Sequence, residues 1–173
     1  MTLCHPFPLT LVAAILWLAS TAAQALNLPR MFSDHMVLQQ GIPVRVWGWA
    51  EPGQAVEVAF AGQTKSATAD TSGRWTVTLD PLKASPEPGE LTVSAGDQKV
   101  SIKDVLVGEV WICSGQSNME WTLGGTHNAK ETIEAASFPR IRQFKVRLVT
   151  HPKPQRDLQG DWTVCAPATA GNF

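Results

Sequence analysis

The residues best suited to do chemistry lie in Val110-Trp-Ile-Cys113-Ser-Gly115-Gln116-Ser117-Asn118-Met119-Glu120-Trp121, an apolar run that ends in a small-residue turn presenting a serine. A hydroxyl placed where a buried strand meets its next turn is exposed at a sheet rim, with backbone N–H groups beside it to receive an oxyanion. That is the arrangement acyl transfer needs. The spacing excludes one scaffold, because the nucleophile elbow of the α/β-hydrolases is Gly-x-Ser-x-Gly and Met119 stands where its second glycine belongs.

The stretch Gly115-Gln116-Ser117-Asn118-Met119 resembles the nucleophile block of the SGNH-type (GDSL-like) esterases, and among them the sialate O-acetylesterase family. Two further blocks carry the same resemblance, Met31-Phe-Ser-Asp34-His35-Met-Val-Leu-Gln39 near the start and Asp161-Trp162-Thr-Val-Cys165-Ala-Pro167 near the end. The resemblance implies a serine nucleophile at Ser117 whose own N–H is one oxyanion donor, with Gly171 as a candidate second donor and Gln116 and Asn118 as candidate binding residues. Asn118 reads equally well as an Asx-type turn residue. The implied substrate is an O-acetylated sialic acid or related acetylated sugar, hydrolysed without metal or organic cofactor.

A serine hydroxyl of ordinary acidity needs a base within hydrogen-bond reach and usually an acid behind it. SGNH-type enzymes commonly take both from an Asp-x-x-His block near the C-terminus. The histidines here are His5, His35, His127 and His151, and none has an aspartate three residues earlier. His127 is the one close to Ser117 in sequence, in the loop after Gly124-Gly125-Thr126, but triad partners are set by fold rather than proximity. The sequence therefore reads as the N-terminal portion of a longer enzyme, truncated in its catalytic domain and inactive alone. The rival reading is a non-catalytic carbohydrate-binding or structural module with a vestigial serine turn.

The elements that must position Ser117 fall into two parts. From Ile42 to Val107 short alternating runs (Val44, Val46; Val56, Val58, Phe60; Trp75, Val77, Leu79; Leu91, Val93; Val100, Ile102) are broken by Pro, Gly and Asp turn residues. Period two predicts strands with one buried face, here a small Ig-like β-sandwich over residues 26–104. Trp47, Trp49 and Trp75 alternate with valine and read as core more readily than as a sugar-stacking surface. After Asp104 the run Val105 to Cys113 is almost continuously apolar, as in a parallel-sheet strand buried on both faces. It predicts the start of an α/β domain over 105–173, which the resemblance implies to be of the three-layer SGNH type, making the whole α+β. Within it, Asn128–Ser137 reads as a helix with Ala129, Ile133 and Ala136 on its apolar side and Asn128 as cap. Ile141–Val149 reads as a strand with Phe144, Val146 and Leu148 inward.

Composition sets the outer bounds. With 44% hydrophobic and 17% charged residues, 173 residues suffice for one or two globular domains. A net charge of -1 without a lysine or arginine run argues against nucleic-acid binding. Residues 1–25 lack Lys, Arg, Asp and Glu, and the apolar run Leu9–Leu18 precedes Ala23-Gln24-Ala25, the pattern of a cleaved signal peptide. The expected location is secreted or periplasmic, with no membrane span after cleavage. Cys113 and Cys165 could pair in such a compartment, but their apolar, strand-like settings favour two separate buried thiols.

Overall fold

The computed structural model describes residues 25–173, so the signal peptide expected over 1–25 lies, apart from Ala25, outside the described residues. Seven strands build the first part: β1 (Val37–Gln39), β2 (Val44–Trp49), β3 (Ala55–Phe60), β4 (Gln63–Thr68), β5 (Arg74–Leu79), β6 (Ser85–Ala95) and β7 (Gln98–Gly108). They form a five-stranded sheet in the order β1-β7-β6-β3-β4 and a two-stranded sheet β2-β5. All pairs are antiparallel except β1 with β7, which run parallel from Val37 opposite Leu106.

The period-two runs bury the side chains expected of them. Val44, Val46, Val56, Val58, Phe60, Trp75, Val77, Leu79, Leu91, Val93 and Ile102 from both sheets share one core. Trp49 and Trp75 are buried, and Trp47 is half-buried with its ring edge-on to Phe32 at 4.7 Å. Local chemistry sets the hairpins. Ala61 and Gly62 both take positive φ, the two-residue loop that matches strand twist, and Gly96 does so alone at the β6–β7 loop. Asp70 Oδ1 accepts from the N–H groups of Ser72 and Arg74 and closes the β4–β5 turn.

The apolar run 105–113 differs from expectation. Val105, Leu106 and Val107 belong to the end of β7, inside the core of the sheet unit and past residue 104. Residues 109–113 form no strand, and Trp111 and Ile112 are 83% and 92% exposed. The parallel pairing that burial suggested is supplied by β1, not by a new sheet.

Residues 109–173 carry one α-helix, α1 (Ala129–Glu134), the antiparallel pair β8 (Phe138–Phe144) and β9 (Trp162–Cys165), and 3-10 turns at Ser117–Glu120, Leu123–Gly125 and Ala170–Asn172. In the helix Ala129 and Ile133 are half-buried, and Ala136 just beyond it is buried, as its periodicity predicts. Asn128 occupies the cap position in left-handed conformation but makes no side-chain cap bond. The strand expected over 141–149 begins and ends earlier. Val146, Leu148 and Val149 follow β8 as exposed loop, because no neighbouring strand continues alongside them. Among the described residues no helix is long and apolar enough to cross a membrane.

Candidate active site

The chain leaves the sheet unit at Gly108 under tight control. Gln40 N–H donates to the Gly108 carbonyl (2.9 Å), and the Gln39 and Gln40 side-chain amides donate to the Glu109 carboxylate at 3.1 and 2.6 Å. Gln39 Oε1 in turn accepts from Val110 N–H at 2.7 Å. The two amides hold the Glu109 carboxyl below its usual range, Gln39 contributing most. The last residue of the first sequence block thus anchors the entrance to the serine block.

Ser117 opens a 3-10 turn closed by Met119 N–H to the Gln116 carbonyl (2.9 Å) and Trp121 N–H to the Asn118 carbonyl (3.3 Å). Its backbone N–H is one of the donors that the first turn of a helix leaves without an internal partner, and its side chain is exposed. Gly115 is small for a reason: a Cβ there would lie 2.7 Å from Met119 Cγ, which folds over it. Gln116 and Asn118 are exposed beside the serine. Asn118 enters the turn through its carbonyl.

Gly171 comes to the neighbouring turn. Leu123 N–H donates to the Phe173 carbonyl at 2.7 Å, and a Cβ on Gly124 would lie 3.0 Å from the Gly171 oxygen. Behind this contact Ala136, Cys165 and Ala170 form a small second core, with Leu123 and Phe173 packed on it. The geometry therefore brings Gly171 against Leu123–Gly125, directly after the Ser117 turn. Cys165 is buried and free as expected, whereas Cys113 is free and exposed, since the segment that carries it is not a strand.

His127 and His151 are exposed in loops. His35 is placed differently: its Nδ1 lies 2.6 Å from Asp104 Oδ2, and the same carboxylate accepts both guanidinium nitrogens of Arg142, at 2.7 and 3.2 Å. The carboxylate can only accept, so His35 Nδ1 carries the proton. The Arg142 hydrogen bond chiefly holds the Asp104 carboxyl below its ordinary value; burial opposes it, and the His35 bond adds to the lowering. Sequence reasoning passed over this cluster, although Arg142 was the polar residue in the inward register of its run, a sign of a buried partner. Among the described residues no three His, Cys, Asp or Glu side chains converge as metal ligands.

The third block docks on the first. Trp162 Nε1 donates to the Met31 carbonyl at 2.8 Å, Asp157 accepts from Arg30 N–H at 3.0 Å, and Asp161 lies 3.6 Å from the Arg30 guanidinium. Phe144 sits edge-on to Trp162 at 5.4 Å. An open groove of about 450 Å³ runs along this junction past Phe32, Asp34, Ser101 and Trp162, and a second of about 460 Å³ lies by Phe60, Leu82 and Val107; Ser117 lines neither.

No family model matches the chain. It is 35% identical over 152 residues to the sialate O-acetylesterase of Mus musculus, 81% of this chain and 28% of that protein. It is 32% identical over 181 residues to the sialate O-acetylesterase of Rattus norvegicus, covering 98% of this chain and 33% of that protein. Over the stretch it spans, the chain is homologous to the sialate O-acetylesterases. The crystal structure of a carbohydrate acetylesterase from Xanthomonas citri superposes with a TM-score of 0.82 at 38% identity, over 86% of this chain and 34% of that one. The chain thus spans about a third of the length of the curated relatives it matches.

Proposed function

We propose that the chain is the N-terminal part of a serine carbohydrate O-acetylesterase that removes acetyl groups from O-acetylated sialic acid or a related acetylated sugar. One observation carries the reading: the first and third sequence blocks touch, and the first also holds the chain that leads into the second. Gln39 of the first holds Val110 at the entrance of the second, and Trp162 of the third donates to Met31 of the first, with exposed Ser117 on the turn between these ties. In this reading Ser117 Oγ attacks the acetyl carbonyl as a base removes its proton. The tetrahedral oxyanion is met by the Ser117 N–H and, as a candidate, by Gly171, with Gln116 and Asn118 beside the sugar. Expulsion of the sugar oxygen, protonated as it leaves, gives an acetyl-enzyme that water hydrolyses to acetate. No cofactor enters these steps.

The base and its orienting acid belong, in this reading, to chain beyond these residues, in an SGNH-type domain that starts here after an Ig-like sandwich. Trp111, Ile112 and Leu148, each at least 83% exposed, are apolar side chains that further chain would cover. The leader-like residues 1–25 fit a secreted or periplasmic enzyme, acting on a glycan rather than on nucleic acid or membrane. The non-catalytic sugar-binding reading has less support. Trp49 and Trp75 are buried and Trp47 packs on Phe32, so the sheet unit offers no exposed tryptophan platform among the described residues. The deciding experiment measures acetate release from O-acetylated sialic acid and from acetylated plant polysaccharide by the native protein and Ser117→Ala. Loss of turnover with an unchanged fold is expected; turnover retained in the variant sinks the proposal.

A further inference from the structure

We infer that Asp104 is a positioning residue, the joint through which the sheet unit sets the Ser117-bearing half of the chain, with Arg142 as its partner and His35 as its brace. The inference rests on the serine esterase reading only in naming what is positioned.

Asp104 sits where the β6–β7 register slips: Gly89 pairs with Val105 but Leu91 with Ile102, which leaves Lys103 and Asp104 as a bulge. Asp104 takes φ 55° and the facing His35 takes φ 71°, left-handed conformations that cost a non-glycine residue on the order of 1 kcal/mol or more and persist only where surrounding contacts enforce them. Those contacts are present. Asp34 Oδ1 accepts from Lys103 N–H at 2.7 Å, and His35 N–H donates to the Lys103 carbonyl at 3.1 Å. The first block is thus folded around the bulge, and the bulge turns the Asp104 carboxylate toward Arg142.

Arg142 is placed with equal care. Its side chain is 5% exposed, its Nε donates to the Pro139 carbonyl at 2.7 Å, and its two terminal nitrogens fork onto Asp104. A planar fork on a carboxylate fixes direction as well as distance, which a lysine cannot do. Arg142 lies in β8 opposite Val164 of β9, and the chain after β9 ends on the Leu123 N–H that follows the serine turn. Two tethers therefore bracket the segment that carries Ser117, at Val110 before it and at Leu123 after it. One runs from Gln39 through Val110 and the other from Asp104 through Arg142, β9 and Phe173, and both start beside residues 34–39. The reach of an acyl-transfer nucleophile is sensitive to ångström-scale displacement, so this joint matters to rate and not to stability alone.

The experiment compares native full-length protein with Asp104→Asn, Asp104→Glu and Arg142→Lys, well below each melting temperature. One readout is kcat and KM for a small aryl acetate; the other is peptide-resolved hydrogen exchange. Asp104→Asn and Arg142→Lys are expected to lower kcat by roughly ten- to a hundredfold with KM within about twofold. Exchange should quicken in β8, β9 and 117–125 but not in β2 or β5. Asp104→Glu keeps the charge and lengthens the arm, so its melting temperature should recover while kcat stays low. Full kcat in folded Asp104→Asn, or exchange rising equally across β2 and β5, overturns the inference. If Asp104→Asn does not fold, His35→Gln, which leaves the fork intact, must show the same exchange pattern at smaller amplitude, and an unchanged pattern overturns it. A native protein that releases no acetate refutes the esterase reading instead, and the exchange data still decide the joint.

Discussion

Position 48 leaves no room for a side chain. A Cβ on Gly48 would fall inside contact distance of the Asn27 carbonyl oxygen and 2.7 Å from the buried Trp75 ring. The Asn27 carbonyl is committed, because Asn27 and Trp49 exchange two backbone hydrogen bonds of 2.9 and 2.8 Å that tie the chain's approach to β2. Gly48→Ala is therefore expected to cost about 3 kcal/mol, the scale of overpacking against backbone, and a urea titration of the variant measures it. At the same scale the two cysteines should separate by reactivity. In a Cys4→Ser background a thiol reagent should label Cys113 within mixing time and Cys165 only as denaturant opens the small second core. Equal labelling of both in the native state would contradict the structure around Cys165.

Among the elements, the joint between β7 and β8 gives a pH dependence with a definite sign. The native carboxyl of Asp104 is held below its unfolded value, so its stabilisation is fully present above the unfolded value and is lost as pH falls through the lowered native one. With solvent screening at a side chain 31% exposed, the effect is on the order of 1 kcal/mol. Acid titration of the urea midpoint should show it in the native protein and a flatter curve in Asp104→Asn. Trp162 crosses the same boundary by a different force. Trp162→Phe keeps a ring beside Phe144 but loses the bond to Met31, an expected loss of about 1 kcal/mol by thermal melting. The strands of the sheet unit were legible because alternation in Val56-Glu-Val58-Ala-Phe60 or Trp75-Thr-Val77-Thr-Leu79 records a face that is in fact buried. Alternation from Arg142 to Leu148 misled because hydrophobic period says nothing about whether a partner strand exists. The polar strand β4, Gln63–Thr68, was invisible for the opposite reason, being an edge strand without a buried face. At the candidate site, the exposed turn that carries Ser117 could be read from its small residues. Asp104, Arg142 and Glu109 could not, because their partners lie 38 to 70 residues away in sequence and no local pattern encodes such a meeting.

For the whole molecule, stability is unevenly spread. The sheet unit holds one large core drawn from two sheets, whereas the second core consists of Ala136, Cys165 and Ala170 with Leu123 and Phe173. Opening should follow this division, since local stability tracks buried apolar contact. Limited proteolysis of the 173-residue chain is expected to cut first in the exposed loop between β8 and β9, around residues 146–157, and to leave the sheet unit as the resistant fragment. A cut within β3 or β6 appearing first would contradict that order.

The parallel pairing of β1 with β7 carries a consequence for how such a chain is made. Gln39 leaves the ribosome long before Glu109 and Val110, the residues it will hold, and until then its short strand has no mate in the five-stranded sheet. The segment that leads to the serine turn is therefore held by a component that waits. An early segment must stay unattached through the synthesis of five intervening strands, and only the arrival of β7 beside it lets Gln39 take hold of Val110.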